Sequence, residues 1–371
     1  MARSATMLVA VFSTLAMLAG AALSLPEGVT GPLPFNASGF LPWNPAELQA
    51  HLAASAAAQN LSVNYHKLTC PRLRFIVMDR MYGELMADSS LAAGIIRLYF
   101  NDCFPNGCDA SILLVWPNPE MRFDQNNFLN RKVWDVIESI RKSVHAECGP
   151  TVSCADILAL AARDAVIFAG GLDFEAPLGR LDSLAPAIYR DVSAIPLPTT
   201  EQASVMLNNF ASRGFNHPGD LVAFSGAHSI GKAHCASFRD RADRQSDDFS
   251  RQLFMACRQD VYRLQELDHV TPNRLDNQYY RNLMAGEGVF TSDMALLNDP
   301  MTASWVTFYQ NNPRKFLDDF SAVMSRLYTV RRGSRSGEIR RYGCFKPNSA
   351  GPGVGIPGAA GADQEGAAAS A

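Results

Sequence analysis

Between Leu91 and Leu114 the sequence LAAGIIRLYFNDCFPNGCDASILL gathers a guanidinium, an amide and several hard oxygens within a short stretch. Arg97 and Asn101 are four residues apart, so on a helix they project from one face while Tyr99 points elsewhere. Beyond them Asp102, Asp109 and Ser111 surround Gly107, on a loop that Cys103 and Cys108 could staple. Carboxylate and hydroxyl oxygens of this kind suit calcium better than a softer metal. A second candidate stands in PGDLVAFSGAHSIG, residues 218–231, where His228 falls at a helix end. Imidazole is the commonest metal ligand, and a purely structural histidine is the alternative.

These groups need helices to hold them. Asp88, Ser89 and Ser90 offer N-cap oxygens to a helix carrying Ile95, Ile96, Leu98 and Phe100, and Pro105 is expected to stop it within a turn of Asn101. Ser153 reads as the cap of a helix that ends at Gly170-Gly171. Thr199 and Gln202 read as a capping box for a helix closed by Gly214, and Pro218 opens the helix leading to His228. Asp299-Pro300 and Asn312-Pro313 announce two more helices, reaching about Gln310 and Tyr328. Trp305, Phe308, Phe316, Phe320, Met324 and Leu327 form their core stripes. Helix signals outnumber strand signals throughout.

The 371 residues suffice for a large core, with 47% hydrophobic and 19% charged side chains. A formal net charge of −3 gives no reason to expect a nucleic-acid partner. Eight cysteines without a C-x-x-C pair fit disulfides better than zinc, and sequence spacing leaves their pairing open. Disulfides require an oxidising compartment. Residues 1–24 match that requirement: Arg3, an apolar run from Met7 to Leu18 and small residues for cleavage read as a signal peptide. Residues 25–60 read as a low-complexity extension carrying the sequons Asn36-Ala37-Ser38 and Asn60-Leu61-Ser62. The Gly/Ala/Pro tail 348–371 reads as disordered. The mature protein is expected to be soluble, secreted and free of the membrane.

The run Arg97-Leu98-Tyr99-Phe100-Asn101-Asp102-Cys103-Phe104, then Gly107-Cys108-Asp109-Ala110-Ser111, resembles the distal segment of the secretory plant (class III) haem peroxidases. Tyr99 and Asn101 stand where that pattern has histidines, the second being the family's acid-base catalyst. Val152-Ser153-Cys154-Ala155-Asp156, Pro177-Leu178-Gly179-Arg180-Leu181-Asp182-Ser183, Asp220-Leu221-Val222 through Gly231, and Gly337-Glu338-Ile339-Arg340 with Cys344 resemble further motifs of the family. The resemblance covers residues 61–347 and implies an all-α, haem-dependent peroxidase fold whose two lobes sandwich haem b.

It also implies roles for individual residues. His228 would be the axial iron ligand, oriented by Asp293, which is followed by Met294 where the family has Gln. Arg97 would stabilise the transition state, and Pro196 would lie at the haem edge where donors dock. A distal calcium would take Asp102, Asp109 and Ser111 with the carbonyls of Pro105 and Gly107. A proximal one would take Ser229, Asp268, Thr271 and Asp276 with the carbonyl of Arg274. The implied disulfides are Cys70–Cys148, Cys103–Cys108, Cys154–Cys344 and Cys235–Cys257. Glu120 and Asn126 fall near positions that support the calcium loop and the distal histidine. His51, His66 and His145 read as surface residues, and His217, His234 and His269 have no matching role.

The implied reaction is reduction of hydrogen peroxide coupled to oxidation of phenolic donors, in the cell wall or outside the cell, by a monomer. Asn101 is neutral and takes up no proton in the relevant range. A positioned base is worth about 10² to 10⁴ in rate, so weakened activity is expected. A non-catalytic extracellular haem-binding protein is the alternative.

Overall fold

The computed structural model describes residues 45–115, 118–330 and 336–352. Helices α1 (Pro45–Ala58), α2 (Leu73–Ala87), α3 (Leu91–Asn106), α4 (Arg131–Cys148) and α5 (Cys154–Phe168) come first. Then follow α6 (Tyr189–Val192), α7 (Ala203–Ala211), α8 (Pro218–Ser225), α9 (Arg239–Arg244) and α10 (Asp248–Cys257). Helices α11 (Gln278–Met284), α12 (Thr291–Ala295), α13 (Pro300–Asn311) and α14 (Pro313–Leu327) complete the set. The one named sheet among the described residues is an antiparallel pair, β1 (Lys232–His234) and β2 (Leu264–Glu266). No described helix is long and apolar enough to cross a membrane.

Sequence pattern explains the layering. Helix α2 buries Leu73, Val77, Met81 and Leu85, a stripe at i, i+4, i+8 and i+12, and leaves its other face wet. Helix α5 is apolar nearly all round and is accordingly central, with α2 and α3 packed on it. Helix α8 lies against α13 and α14, and α11 against α13. One core runs through both groups, and a smaller one forms around Phe238, Leu253, Leu267 and Phe290.

Covalent and ionic ties close the shell. Disulfides join Cys70 to Cys148, Cys103 to Cys108, Cys154 to Cys344 and Cys235 to Cys257, the pairs implied by the resemblance, and no described cysteine is free. Buried Asp182 accepts from the backbone N–H of Cys154, Ala155 and Arg340 at 3.1, 2.9 and 3.0 Å. The Arg340 guanidinium, fully buried, donates to the carbonyls of Ala110, Cys344 and Ser183. The C-terminal strand of chain is thereby pinned to the distal loop.

Several expectations need correction. Pro105 does not stop α3: it sits in the last turn, where a missing N–H costs one bond, and Gly107 at φ +89° ends the helix. Ser90 takes helical dihedrals without capping, because Asp88 Oδ1 accepts from its N–H and O–H. Gln202 precedes α7 with no side-chain cap, since Thr200 N–H turns back to the Leu197 carbonyl and leaves Thr199 upstream. Asn312 likewise makes no cap for α14, because its amide donates to Phe308 O at the end of α13.

His66 is buried, with Nε2 2.8 Å from Asp156 Oδ2, and His145 Nε2 donates to Val152 O at 2.9 Å. His217 caps α8 by accepting from Gly219 N–H. His51 is half-buried on α1, the helix that occupies residues placed in the extension. That helix packs on α14, and Gln59 Nε2 donates to Thr329 O at 2.9 Å, so the folded body starts before residue 61. Asn348 bonds to Glu338, Ile339 and Arg341, so the tail's first residues are part of the body too. The signal peptide, Asn36 and residues 353–371 lie outside the described residues.

Candidate active site

A cavity with about 1040 Å³ of free volume, mouth included, opens between α3 on one side and α8 with its following turn on the other. Ala93, Ile96, Arg97, Phe100 and Asn101 line it from α3, and Leu221, Phe224 and His228 from the α8 side. Pro196 also lines it, as do Phe320 and Met324, which their spacing assigned to a core stripe. This largely apolar lining suits a large flat cofactor.

On the proximal wall, α8 ends and a short 3-10 turn carries His228 into the cavity. His228 Nδ1 donates to Asp293 Oδ1 at 2.8 Å, which leaves Nε2 for the cavity. Asp293 is itself fixed, with Oδ2 accepting from Phe290 N–H at 2.9 Å and Oδ1 also accepting the Tyr279 phenol at 2.8 Å. The Phe290 ring meets His228 edge-on at 5.1 Å. A metal-ligating imidazole needs this kind of support on its other nitrogen.

The distal wall is different. Arg97 Nη2 donates to Asn127 O at 2.9 Å, and burial lowers its pKa to about 10, so it stays charged at neutral pH. Asn101 Nδ2 donates to Asn126 Oδ1 at 2.9 Å and to Gln125 O at 3.1 Å. Both amide hydrogens are thus committed, and the carbonyl Oδ1 is what Asn101 can offer the cavity. Asn126 Nδ2 in turn donates to Glu120 O at 2.9 Å. Tyr99 points away, its O–H donating to Cys108 Sγ at 3.2 Å and its ring 4.8 Å from Tyr328.

The loop after α3 folds around Asp102, whose Oδ2 accepts from Asp109 and Ala110 N–H and whose Oδ1 faces Ile112 N–H. Asp102, Asp109, Ser111 and Glu120 are all buried there, and burial pushes Asp102 well above the usual carboxylate range and Glu120 up to about 7. Buried carboxylates this close fit a cation. On the proximal side Thr271 Oγ1 lies 3.4 Å from Asp268 Oδ2 and 3.1 Å from Asp276 Oδ1. The bridge between Ile230 and Asn273 brings Ser229 beside that loop, and Ser229 Oγ is buried with no partner among the described residues. Among the described residues no cluster of three or more His, Cys, Asp or Glu could hold a metal, so an ion in either loop would need hydroxyl and carbonyl oxygens beside the two Asp carboxylates, a donor set calcium accepts.

Sequence reasoning missed Gln125, whose side chain lines the cavity with Oε1 buried and unpartnered among the described residues. It also missed Tyr279, the second donor to Asp293. Neither has a local signal, since each matters through a contact made across the fold.

Comparison with known proteins agrees with the geometry. The Peroxidase family pattern matches residues 77–312. The chain is 36% identical over 297 residues to Peroxidase 31 of Arabidopsis thaliana, spanning 77% of this chain and 93% of that protein. It is 39% identical over 308 residues to Cationic peroxidase SPC4 of Sorghum bicolor, covering 79% and 84% of the two chains. Identity to Peroxidase 4 of Vitis vinifera is 37% over 311 residues, covering 81% and 95%. Agreement of this extent, across the helices that build both walls of the cavity, means that the chain belongs to the plant (class III) peroxidase family and is a peroxidase of all-α fold.

Proposed function

We propose that the cavity takes one haem b, with His228 Nε2 as iron ligand, Asp293 as its orienting carboxylate, and Arg97 and Asn101 on the opposite face. The observation that carries this reading is the 2.8 Å bond between His228 Nδ1 and Asp293 Oδ1 at the wall of an apolar cavity. When bound, haem supplies the redox centre for reduction of hydrogen peroxide and oxidation of small phenolic donors. Arg97 places positive charge where negative charge develops as the O–O bond breaks. Asn101 accepts a hydrogen bond but moves no proton, so turnover is weakened. Pro196, in the cavity lining, is where donors would dock.

Two calcium ions would brace the walls, one at Asp102, Asp109 and Ser111 with the carbonyls of Pro105 and Gly107. The other would use Ser229, Asp268, Thr271 and Asp276 with the carbonyl of Arg274. The disulfides and the N-terminal signal support secretion to the cell wall or extracellular space, where the protein would act as a monomer. Asn60 is exposed and available to a glycan. The domain would run from α1 to about residue 352, between an extension and a tail.

Haem titration of wild type and His228→Ala, followed by turnover with guaiacol and peroxide, tests this proposal. A Soret band that depends on His228 together with slow turnover supports it. An unaltered band in His228→Ala rejects it. A His228-dependent band with no turnover at all selects the haem-binding alternative, which the neutrality of Asn101 favours.

A further inference from the structure

Four buried aromatic side chains leave the proximal wall in a row. Tyr279 lies 6.0 Å from the His228 ring, Tyr280 is 5.1 Å from Tyr279, Tyr309 is 5.3 Å from Tyr280, and Trp305 is 5.5 Å beyond Tyr309. All three tyrosines are at most 2% exposed. The phenol of Tyr280 donates to a backbone carbonyl, Val222 O, which cannot take its proton. Tyr309 is different: its O–H donates to Asp319 Oδ2 at 3.0 Å. Asp319 pairs with Lys315, which is half-buried and reaches solvent, and burial raises its pKa to about 6, so it is a base near neutral pH. Nothing in the peroxide reaction described above uses this pair.

We infer that Tyr279, Tyr280 and Tyr309 form an electron relay that parks one oxidising equivalent on Tyr309, with Asp319 receiving the phenolic proton. The relay rests on the reading that a porphyrin fills the cavity. Hydrogen peroxide is the oxidant, taking two electrons and two protons to become two waters. One electron comes from Tyr309 through Tyr280 and Tyr279. Its O–H bond breaks, the proton moves to Asp319 and a neutral phenoxyl remains. The second electron and one proton come from a phenolic donor, and the other proton comes from solvent. A later phenolic donor returns an electron to Tyr309 and releases its own proton to solvent, and Asp319 gives the stored proton back to Tyr309. The benefit is local. Met206 and Met324 line the cavity and are open to sulfoxide formation, and a slow site without a prompt donor leaves oxidising power beside them.

The test avoids peroxide turnover. The full chain is loaded with zinc protoporphyrin, illuminated with pentaamminechlorocobalt(III) as electron acceptor, and read by electron paramagnetic resonance. Wild type is expected to give a neutral tyrosyl signal that Tyr309→Phe loses. Asp319→Asn, which keeps an acceptor of the same shape without its basicity, is expected to lose it as well while binding the porphyrin normally. An undiminished tyrosyl signal in Tyr309→Phe, or a tryptophan radical in wild type, overturns the relay. Porphyrin binding without any tyrosyl signal in wild type overturns the relay alone. Failure of the porphyrin to bind overturns the cavity reading and the relay with it.

Discussion

Asn101 Nδ2 lies 2.9 Å from Asn126 Oδ1, and this bond fixes what the distal wall can do. Asn126 is held in one amide orientation because its Nδ2 donates to Glu120 O. Its oxygen is therefore an acceptor aimed at position 101. The wall keeps the support that an imidazole N–H would use and carries an amide in its place.

Removing the proximal carboxylate is expected to weaken haem binding without abolishing it. Asp293→Ala leaves His228 free to rotate and leaves the Tyr279 phenol without its acceptor. Loss of such a partner costs about 10- to 100-fold in affinity for the bound metal group. Haem titration followed at the Soret band measures this, and an affinity equal to wild type would show that Asp293 does not orient the ligand.

Calcium is expected at two per chain by elemental analysis, and chelation is expected to lower the thermal midpoint. Ser229→Ala separates ligation from packing. Ser229 Oγ has no partner among the described residues, so its loss should leave chelated protein as stable as before. In calcium the same substitution should reduce the stabilisation that the ion confers. Equal calcium stabilisation in the two proteins would remove Ser229 from the ligand set.

Arg340→Met is expected to cost about 3 to 5 kcal/mol of stability, because it strips the buried carbonyls of Ala110, Cys344 and Ser183 of their donor and leaves Asp182 without a nearby cation. Denaturant unfolding reports this directly. A change below about 1 kcal/mol, the size of an ordinary surface effect, would contradict the proposed pinning of the C-terminal segment.

Stability should fall as pH rises from about 4 to about 6. Burial raises Asp164 and Asp319 from 3.8 to about 6, so between those values the folded state binds more protons than the unfolded one. The protonated carboxyl contributes stability that is fully present below the unfolded pKa and is lost as pH passes the folded value. Each group accounts for at most about 3 kcal/mol. Urea unfolding at several pH values should show this slope, shallower in Asp319→Asn. A slope unaltered by that change would reject its assignment to Asp319.

Much of the fold was legible because its signals are local. Ser153 and Asp299 mark helix starts with side chains that accept backbone N–H groups, Pro218 does so by its fixed φ in the first turn, and the cysteines stand in motifs that carry their partners with them. His228 and Arg97 were legible for the same reason. What escaped depends on contacts across the chain. Gln125 sits on an irregular segment with no periodicity, and His66 is buried by Asp156, 90 residues away. Helix α1 has an alanine-rich sequence with little amphipathic pattern, so only its docking on α14 shows it to be part of the body. Pro105 misled because a proline in a last turn costs far less than one in a helix interior.

The most direct test is the rate of peroxide reaction in Asn101→His, compared with wild type by rapid mixing of the haem-loaded proteins. In that variant an imidazole N–H would meet Asn126 Oδ1 and leave the other ring nitrogen as a base, with Arg97 already in place. The rate is expected to rise by about 10² or more, the value of a positioned general base. A wild-type rate that Asn101→His leaves unchanged would contradict the account, showing that another group already supplies the proton path.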